Sequence, residues 1–537
     1  MTENIDVVVL GGGHNGLAAA AYLAKAGKKV VVLERLEQVG GAAVSAQAFD
    51  GIGARLSRYS YLVSLLPQQV IDDLGLKIRL AERRYSSYTP LPGGKVGLLV
   101  DNHDWQNTTS YFESIGAGKD ANAWTRFYAK TTQLAQTIFP TLTQPLPKQA
   151  DLRQALVAAG ATASDVAELW RNFVERPVGQ VIDASFESDL VKGVVLTDAL
   201  IGTFGPNLDS GLDTNKCFLY HLIGQGTGDW NIPVGGMGTV SGELQQAALR
   251  FGANLQTNCE VTRVTEDGEV SYLHHGTGQQ HTVRAKLVLA NVSAAELDRL
   301  TGRATAVAKR VSAPVVQGAQ VKVNLLLKRL PKLLDPTIAP QAAFGGTFHI
   351  NESWQQLQQA YEQASAGQIP NPLPCEIYCH SLTDNSILSQ DLIDAGAQTL
   401  TVFALHTPHQ LLAGKDHDDM RAKLEAAVLS SLNSVLAEPI EDLILTDGNG
   451  QPCIETKTTQ DLEDALRLPQ GNIFHGGLDW PFAADDEPLD SPARRWGVAT
   501  NVPNILVCGS SARRGGAVSA IGGQNAAMAA LEILNVG

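Results

Sequence analysis

Apolar positions fall into strand-like and helix-like periods along this chain, and the clearest example stands at its start. Ile5 to Leu10 (IDVVVL) is a β-branched apolar run of the kind that fills a parallel strand covered on both faces. Leu17 to Ala26 is almost entirely good helix former and meets a natural stop at Gly27. Lys29 to Leu33 is again a short apolar strand, so residues 5–41 predict one strand–helix–strand unit with glycines in its first turn. The far end repeats that order: a strand over Asn504 to Cys508, a glycine-rich loop over Gly509 to Val518, and a helix with Ser519 as its N-cap.

Between these ends, residues 229–264 hold a glycine turn (PVGGMG, 233–238) that opens an amphipathic helix and leads into strands, and Arg284 to Val292 reads as another buried strand. Residues 67–228 carry mostly helical periodicity, while 317–328 and 398–405 read as strands. The stretch 330–375, with Pro331, Pro336, Pro340, Pro370, Pro372 and Pro374, reads as a linker. The pattern predicts an α/β fold, α+β overall. The chain returns to one Rossmann-type domain in discontinuous segments (1–66, 229–300 and 460–537), and the intervening stretches (67–228 and 301–459) form an inserted second domain of mixed sheet plus helices. The resemblance given below makes the first the FAD-binding domain and the second the substrate domain.

The chemistry behind the cofactor assignment lies in the first unit. Gly11 and Gly13 permit a tight turn and close approach of a pyrophosphate, and Gly16 lets the helix pack against the strand. The helix start, with His14 and Asn15, turns unpaired N–H groups and a positive dipole end towards the phosphates. Glu34 ends the second strand, where a carboxylate accepts both ribose hydroxyls of an adenosine and disfavours a 2′-phosphate. Arg35 follows it, and a second glycine pair, Gly40 and Gly41, comes next with Ala42 and Ala43. That pair favours a long, extended cofactor, FAD, over NAD. No second GxGxxG follows a later strand, and Walker A, HExxH, GxSxG and zinc-type spacings are missing, so no metal is assigned.

At 537 residues the chain exceeds one ordinary core, in keeping with two domains. Its 41 basic against 55 acidic residues give a net charge of −14, which repels phosphate backbones and excludes nucleic acid as a partner. The six cysteines show no CxxC or CxxxxC spacing, and Cys375 and Cys379 form a weak redox candidate at best. The N-terminus has no basic region or apolar leader before the first strand, so residence in the cytoplasm is expected. No stretch approaches the ~20 apolar residues a bilayer span needs. Peripheral membrane contact is left open by KVNLLLKRLPKLL (322–334), which reads equally well as a core strand running into a turn. A homo-oligomer is also left open.

Taken together, GGGHNG with Glu34 and Gly40-Gly41, RYSYLVSLLP (58–67), PVGGMG, GNIFHGG (471–477) and GSSARRGGAVSAIGGQNAA resemble the phytoene desaturase-like branch of the FAD-dependent amine-oxidase superfamily. Within it the chain is most similar to the pyridine nucleotide-disulfide oxidoreductase domain-containing protein 2 group, then to desaturase-like β-carotene ketolases. The resemblance implies FAD held also by the Val261 backbone and by Gly509, Ser510 and Val518, Ser519, Ala520 and Ile521. It further implies hydride transfer from a small, largely apolar substrate, isoprenoid or carotenoid-like, to flavin N5, with Tyr59, Tyr61 and Trp480 around the pocket. Tyr61 and His475 are candidate proton relays. Arg513 and Arg514 stand where such proteins often read HPGGGVxG and place two cations near the expected flavin edge. The alternatives are flavin-dependent cis/trans isomerisation of a polyene, amine oxidation, or a flavin-free prenyl-binding protein of the Rab escort and GDP-dissociation-inhibitor type.

Overall fold

The computed structural model describes residues 5–305 and 316–536. The leader reading of residues 1–4 and the part of the 301–459 segment at 306–315 lie outside the described residues.

Seven strands form the first sheet: β1 (Ile5–Leu10), β2 (Val30–Leu33), β3 (Asn254–Gln256), β4 (Cys259–Val264), β5 (Glu269–His274), β6 (Gln279–Ala290) and β7 (Ile505–Val507). Their spatial order is β4-β5-β6-β1-β2-β3, with β7 on the other side of β6. The long β6 serves two neighbours. Residues 279–284 pair antiparallel with β5, and from Ala285 onward it runs parallel to β1. The parallel strands stand side by side as β3-β2-β1-β6-β7, so chain order reverses between β1 and β6. Such a reversal opens a crevice at the carboxyl ends of the strands, where ligands of open α/β sheets bind.

Helix α1 (His14–Lys25) packs on α2 (Met237–Arg250) and on α3 (Ile521–Val536). Its alanine run, Ala18 to Ala21, is wholly buried between them, which is why small residues fill both faces. The helix starts three residues before Leu17 because Gly13, extended at ψ 169°, takes the N-cap position without a side-chain cap. At the other end, Ser519 Oγ accepts the Ile521 N–H at 3.3 Å as α3 begins. Residues 67–76 also join this region: Val70, Leu74 and Leu76 are buried in its core.

The second sheet orders its strands as Ile454–Lys457, Val321–Leu327, Gln398–Ala404, Cys375–Tyr378, Thr347–Ile350, Tyr85–Pro90 and Gly97–Asp101. Helices including Gly118–Ile138 and Asp189–Thr197 build a separate core with Trp170, Phe173 and Phe218 between the sheets. One expectation is corrected here, and of two readings left open one is favoured. Residues 330–375 are no linker, for they contain strand Thr347–Ile350 and helix Trp354–Ser365. A Ser353–Gln356 capping box starts that helix, and Leu357, Ala360 and Ala364 bury one stripe of it, while the prolines fall outside both elements. The basic–apolar stretch 322–334 offers no membrane surface over its first half, since Val321–Leu327 is an inner strand buried at every position. Among the described residues, no helix is long and apolar enough to cross a membrane.

Candidate active site

The crevice at the carboxyl ends of β1 and β6 opens into a long cleft of about 1620 Å³, its mouth included. At its inner wall the first glycine turn is held by side chains from three directions. Glu34 takes the Gly12 N–H on one carboxylate oxygen at 2.7 Å and the Leu36 N–H on the other at 2.8 Å. Asn291, just past the end of β6, donates its amide to the Gly11 carbonyl at 3.0 Å. His14 Nε2 lies 2.9 Å from the Ala517 carbonyl, and burial holds its pKa down to about 4, so the ring is neutral. The turn leaves no room for larger residues. A Cβ on Gly16 would lie 2.3 Å from the Gly11 carbonyl oxygen, and one on Gly41 would lie 3.1 Å from the Gly13 Cα. The second glycine pair thus packs the Gly40–Gly41 turn onto the first turn, with Gly40 donating to the Gly12 carbonyl at 2.8 Å.

Of the residues singled out from the sequence, Gly11, Gly13, His14, Asn15, Glu34, Arg35, Gly41, Ala42, Val261, Ser510 and Val518 line this cleft, together with Tyr59, Tyr61 and His475. Asn15 Oδ1 is buried there without a hydrogen-bond partner, an acceptor held ready for a donor in the cleft. Gly16, Gly40, Ala43, Gly509, Ser519, Ala520 and Ile521 are not among the lining residues, although Gly16 packs on the Gly11 carbonyl.

Three expectations are corrected. Arg513 pairs with Glu487 and Asp479 and donates to the Trp480 carbonyl, and its side chain is 6% exposed. Arg514 donates to the carbonyls of Thr141 and Gln144, each at 2.7 Å, and burial lowers its pKa to about 9. Arg513 thus ties the glycine loop to the 479–487 segment and Arg514 ties it to 141–144, since a guanidinium buried in this interior needs such acceptors. Trp480 stacks on Phe482 at 5.6 Å outside the cleft.

The sequence reading missed several lining residues. Asn291 had a signal: it falls at the carboxyl end of the strand read over 284–292, and that end of such a strand faces the crevice. Arg467 bridges Glu260 and Glu296 at the end of the cleft near Glu34, an ion-pair cluster gathered from three distant segments with no local pattern.

Towards the second sheet the cleft becomes apolar and aromatic, with Leu62, Ile201, Phe403, Ile473 and Phe474 on its walls. Tyr61 lies 4.9 Å from Tyr378 and 5.5 Å from Phe403, ring centre to ring centre, and 6.4 Å from Trp230, which stacks on His221 at 5.1 Å. Burial, reinforced by Glu376, pushes the Tyr61 phenol well above its ordinary range, and burial lowers His221 to about 4.

Behind this ring set lies a second cavity, about 1640 Å³ with its mouth, which shares Tyr61, Leu62, Ile201, His221 and Trp230 with the cleft. Its walls are charged. Arg83, Asp198, His349 and Glu376 face into it. Burial pushes Asp198 up to about 6, and burial with the neighbouring Glu352 pushes Glu376 up to about 8. Tyr378 Oη donates to Glu376 at 2.5 Å, and Arg83 is fixed by the Trp230 carbonyl and Thr347 Oγ1, both at 3.0 Å.

The fold and cleft define a Rossmann-type nucleotide-binding α/β protein with a second, aromatic-gated chamber. Residues 9–69 match the family of NAD(P)-binding Rossmann-like domains. The chain is 31% identical to the rat pyridine nucleotide-disulfide oxidoreductase domain-containing protein 2, over 97% of this chain and 92% of that protein, and it belongs to that oxidoreductase family. An uncharacterized protein of Mycobacterium tuberculosis is 52% identical over 99% of this chain and 98% of its own length. One of the subunits of the limonene dehydrogenase of Castellaniella defragrans is 27% identical over 50% of this chain and 47% of its own. Among solved structures, a putrescine oxidase (TM-score 0.57, 18% identity) and the cyclohexylamine oxidase of Brevibacterium oxydans (0.56, 14%) share the fold, each over 99% of both chains. All six cysteines here are buried and free, so no disulfide lies at the cleft.

Proposed function

We propose that the chain is an FAD-dependent oxidoreductase that takes hydride from a carbon of a largely apolar substrate segment. The observation that carries this is the continuous cleft running from Glu34, past the glycine turn, to the aromatic ring set at Tyr61. A nucleotide alone occupies only the first part of such a path, whereas an extended dinucleotide reaches its end.

The residues present fit that cofactor. Glu34 retains lone pairs for ribose hydroxyls, the start of α1 offers N–H groups to phosphates, and Asn15 Oδ1 awaits a donor. Val518 and Ser510 line the same cleft. FAD, when bound, supplies the hydride acceptor at N5. The chain itself orients and excludes water: Leu62, Ile201, Phe403, Ile473 and Phe474 present an apolar wall to substrate, and Tyr61 and His475 stand where a proton would be held. The likeness to the limonene dehydrogenase of Castellaniella defragrans supports a hydrocarbon segment as substrate. Amine oxidation is the second reading, favoured by the carboxylates of Asp198 and Glu376 beyond the ring set and by the fold shared with two amine oxidases.

Anaerobic bleaching of the yellow holoprotein by a panel of terpenes, carotenoids, retinoids and amines tests both. Bleaching by an apolar member supports the main reading, and bleaching by amines with hydrogen peroxide release in air supports the second. A purified chain that is colourless and takes up no FAD on reconstitution would overturn the assignment.

A further inference from the structure

On the wall of the charged cavity, one histidine and two glutamates are folded together by the backbone. His349 and Glu376 stand directly opposite each other on the antiparallel strands Thr347–Ile350 and Cys375–Tyr378, so their side chains leave the sheet on one face. Asn351, left-handed at φ 59°, turns the chain immediately afterwards and brings Glu352 back under His349. Helix Asp189–Thr197 fixes that turn from outside: a Cβ on Gly193 would lie 1.9 Å from the Glu352 carbonyl oxygen. The same helix ends at Asp198, whose carboxylate looks into the same cavity.

His349 Nδ1 lies 2.5 Å from Glu352 Oε2 and 3.9 Å from Glu376 Oε1, and one ligand atom from each of the three falls within 4.8 Å of the others. The side chains are 7%, 0% and 1% exposed. Glu352 Oε1 has no hydrogen-bond partner despite complete burial.

We propose that His349, Glu352 and Glu376 bind one divalent first-row cation, Mn²⁺ or Zn²⁺, on the wall of this cavity. Glu352 and Glu376 are buried near each other and near Asp198, with Arg83 as the guanidinium among the described residues that line the cavity, and isolated buried carboxylates are costly. A doubly charged ion bound between the two glutamates offsets that cost and lets them ionise. One imidazole with two carboxylates suits Mn²⁺ or Zn²⁺ rather than Ca²⁺ or Mg²⁺, whose shells are built of oxygen alone. Ligand distances of about 2.0–2.2 Å ask the three side chains to draw closer together, and with His349 and Glu376 facing the cavity, coordination positions stay open to water or substrate. Tyr378 Oη, bonded to the other oxygen of Glu376, orients that ligand from outside. The site stands apart from the cofactor cleft and does not depend on the reading of it.

The test uses the full chain with its native flavin content, stripped with EDTA and titrated with Mn²⁺ by electron paramagnetic resonance. The expected result is one Mn²⁺ per chain, displaced by Zn²⁺, with a nitrogen coupling from one imidazole. Glu352→Gln and Glu376→Gln, which keep the side-chain volume, each weaken binding by about 100-fold or more, beyond the 10–100-fold that loss of an outer partner costs. Substoichiometric retention of both cations by the wild type at millimolar metal, a Mn²⁺ signal without nitrogen coupling, or wild-type affinity in either folded variant would overturn the proposal. If one variant fails to fold, the other variant and the nitrogen coupling of the wild type still decide.

Discussion

The cofactor cleft and the charged cavity meet at Tyr61, His221 and Trp230, yet they are built in opposite ways. The cleft is a backbone construction: turns at Gly11–Gly13 and Gly40–Gly41 are stacked on each other and pinned by Glu34, Asn291 and His14. The cavity is a side-chain construction, with Arg83, Asp198, His349 and Glu376 brought from four separate segments to one interior. A backbone site presents fixed N–H groups to a shape that never varies, as a phosphate does. A side-chain site is set by charge and can be retuned one residue at a time, which suits the end of the molecule where substrates differ.

Four experiments break or sharpen this contrast, taken from the largest effect downward. Arg513→Met withdraws the cation from Asp479 and Glu487 and costs about 3–5 kcal/mol of stability by urea unfolding, with the flavin spectrum of the folded fraction unchanged. Retained stability with altered flavin absorbance would return Arg513 to the cofactor.

Glu34→Ala strips the acceptor from the Gly12 and Leu36 N–H groups and costs about 2–4 kcal/mol, enough for the protein to lose its flavin on gel filtration. Full flavin retention would mean that the cleft does not rest on this carboxylate.

The third experiment is read in pH. Burial lowers the His14 pKa to about 4 from an ordinary 6.5, so on acidification the unfolded chain takes up the proton first. The contribution is whole above pH 6.5 and is lost towards pH 4, amounting to about 2 kcal/mol between roughly pH 7.5 and 5. The stability gap between wild type and His14→Asn should close by that amount over the same interval, and a constant gap would show a solvated ring.

The smallest effect is at the cavity. Asp198→Asn should raise KM about tenfold, ~1.4 kcal/mol, for whichever substrate bleaches the flavin, while flavin content stays unchanged. A fall in flavin content instead would merge the two sites into one.

The same contrast explains what the sequence discloses. Glycine spacing, an alanine-rich helix and an acid at the end of the second strand are local, and the turn they form is fixed by backbone sterics over a short span. Glu34 and His14 can therefore be placed at the cleft from the sequence pattern, whereas Val518 is reached only through the family resemblance. Asp198 and His349 carry no such mark, because a lone acid after a helix and a lone histidine in an apolar strand are common, and only the pairing of Thr347–Ile350 with Cys375–Tyr378 makes His349 and Glu376 neighbours. Arg513 and Arg514 mislead for a related reason. Their position in the glycine loop is local information, but the direction of a long side chain is settled by the carbonyls and carboxylates that reach it from elsewhere. Likewise the prolines of 330–375 signal breaks, yet they fall between elements or, as Pro340 does, at the first position of a helix.

The amide of Asn291 on the Gly11 carbonyl and the Ala517 carbonyl beside the His14 ring also bear on how the protein is made. The ribosome delivers the first turn at once, but the groups that brace it arrive only with residues 291 and 517 of a chain of 537. On the reading proposed above, capture of the cofactor therefore waits until residue 517 has been made. A message cut short upstream of that point yields a product whose alanine-faced α1 lacks its α3 cover, a surface for chaperones and proteases rather than an enzyme awaiting its flavin.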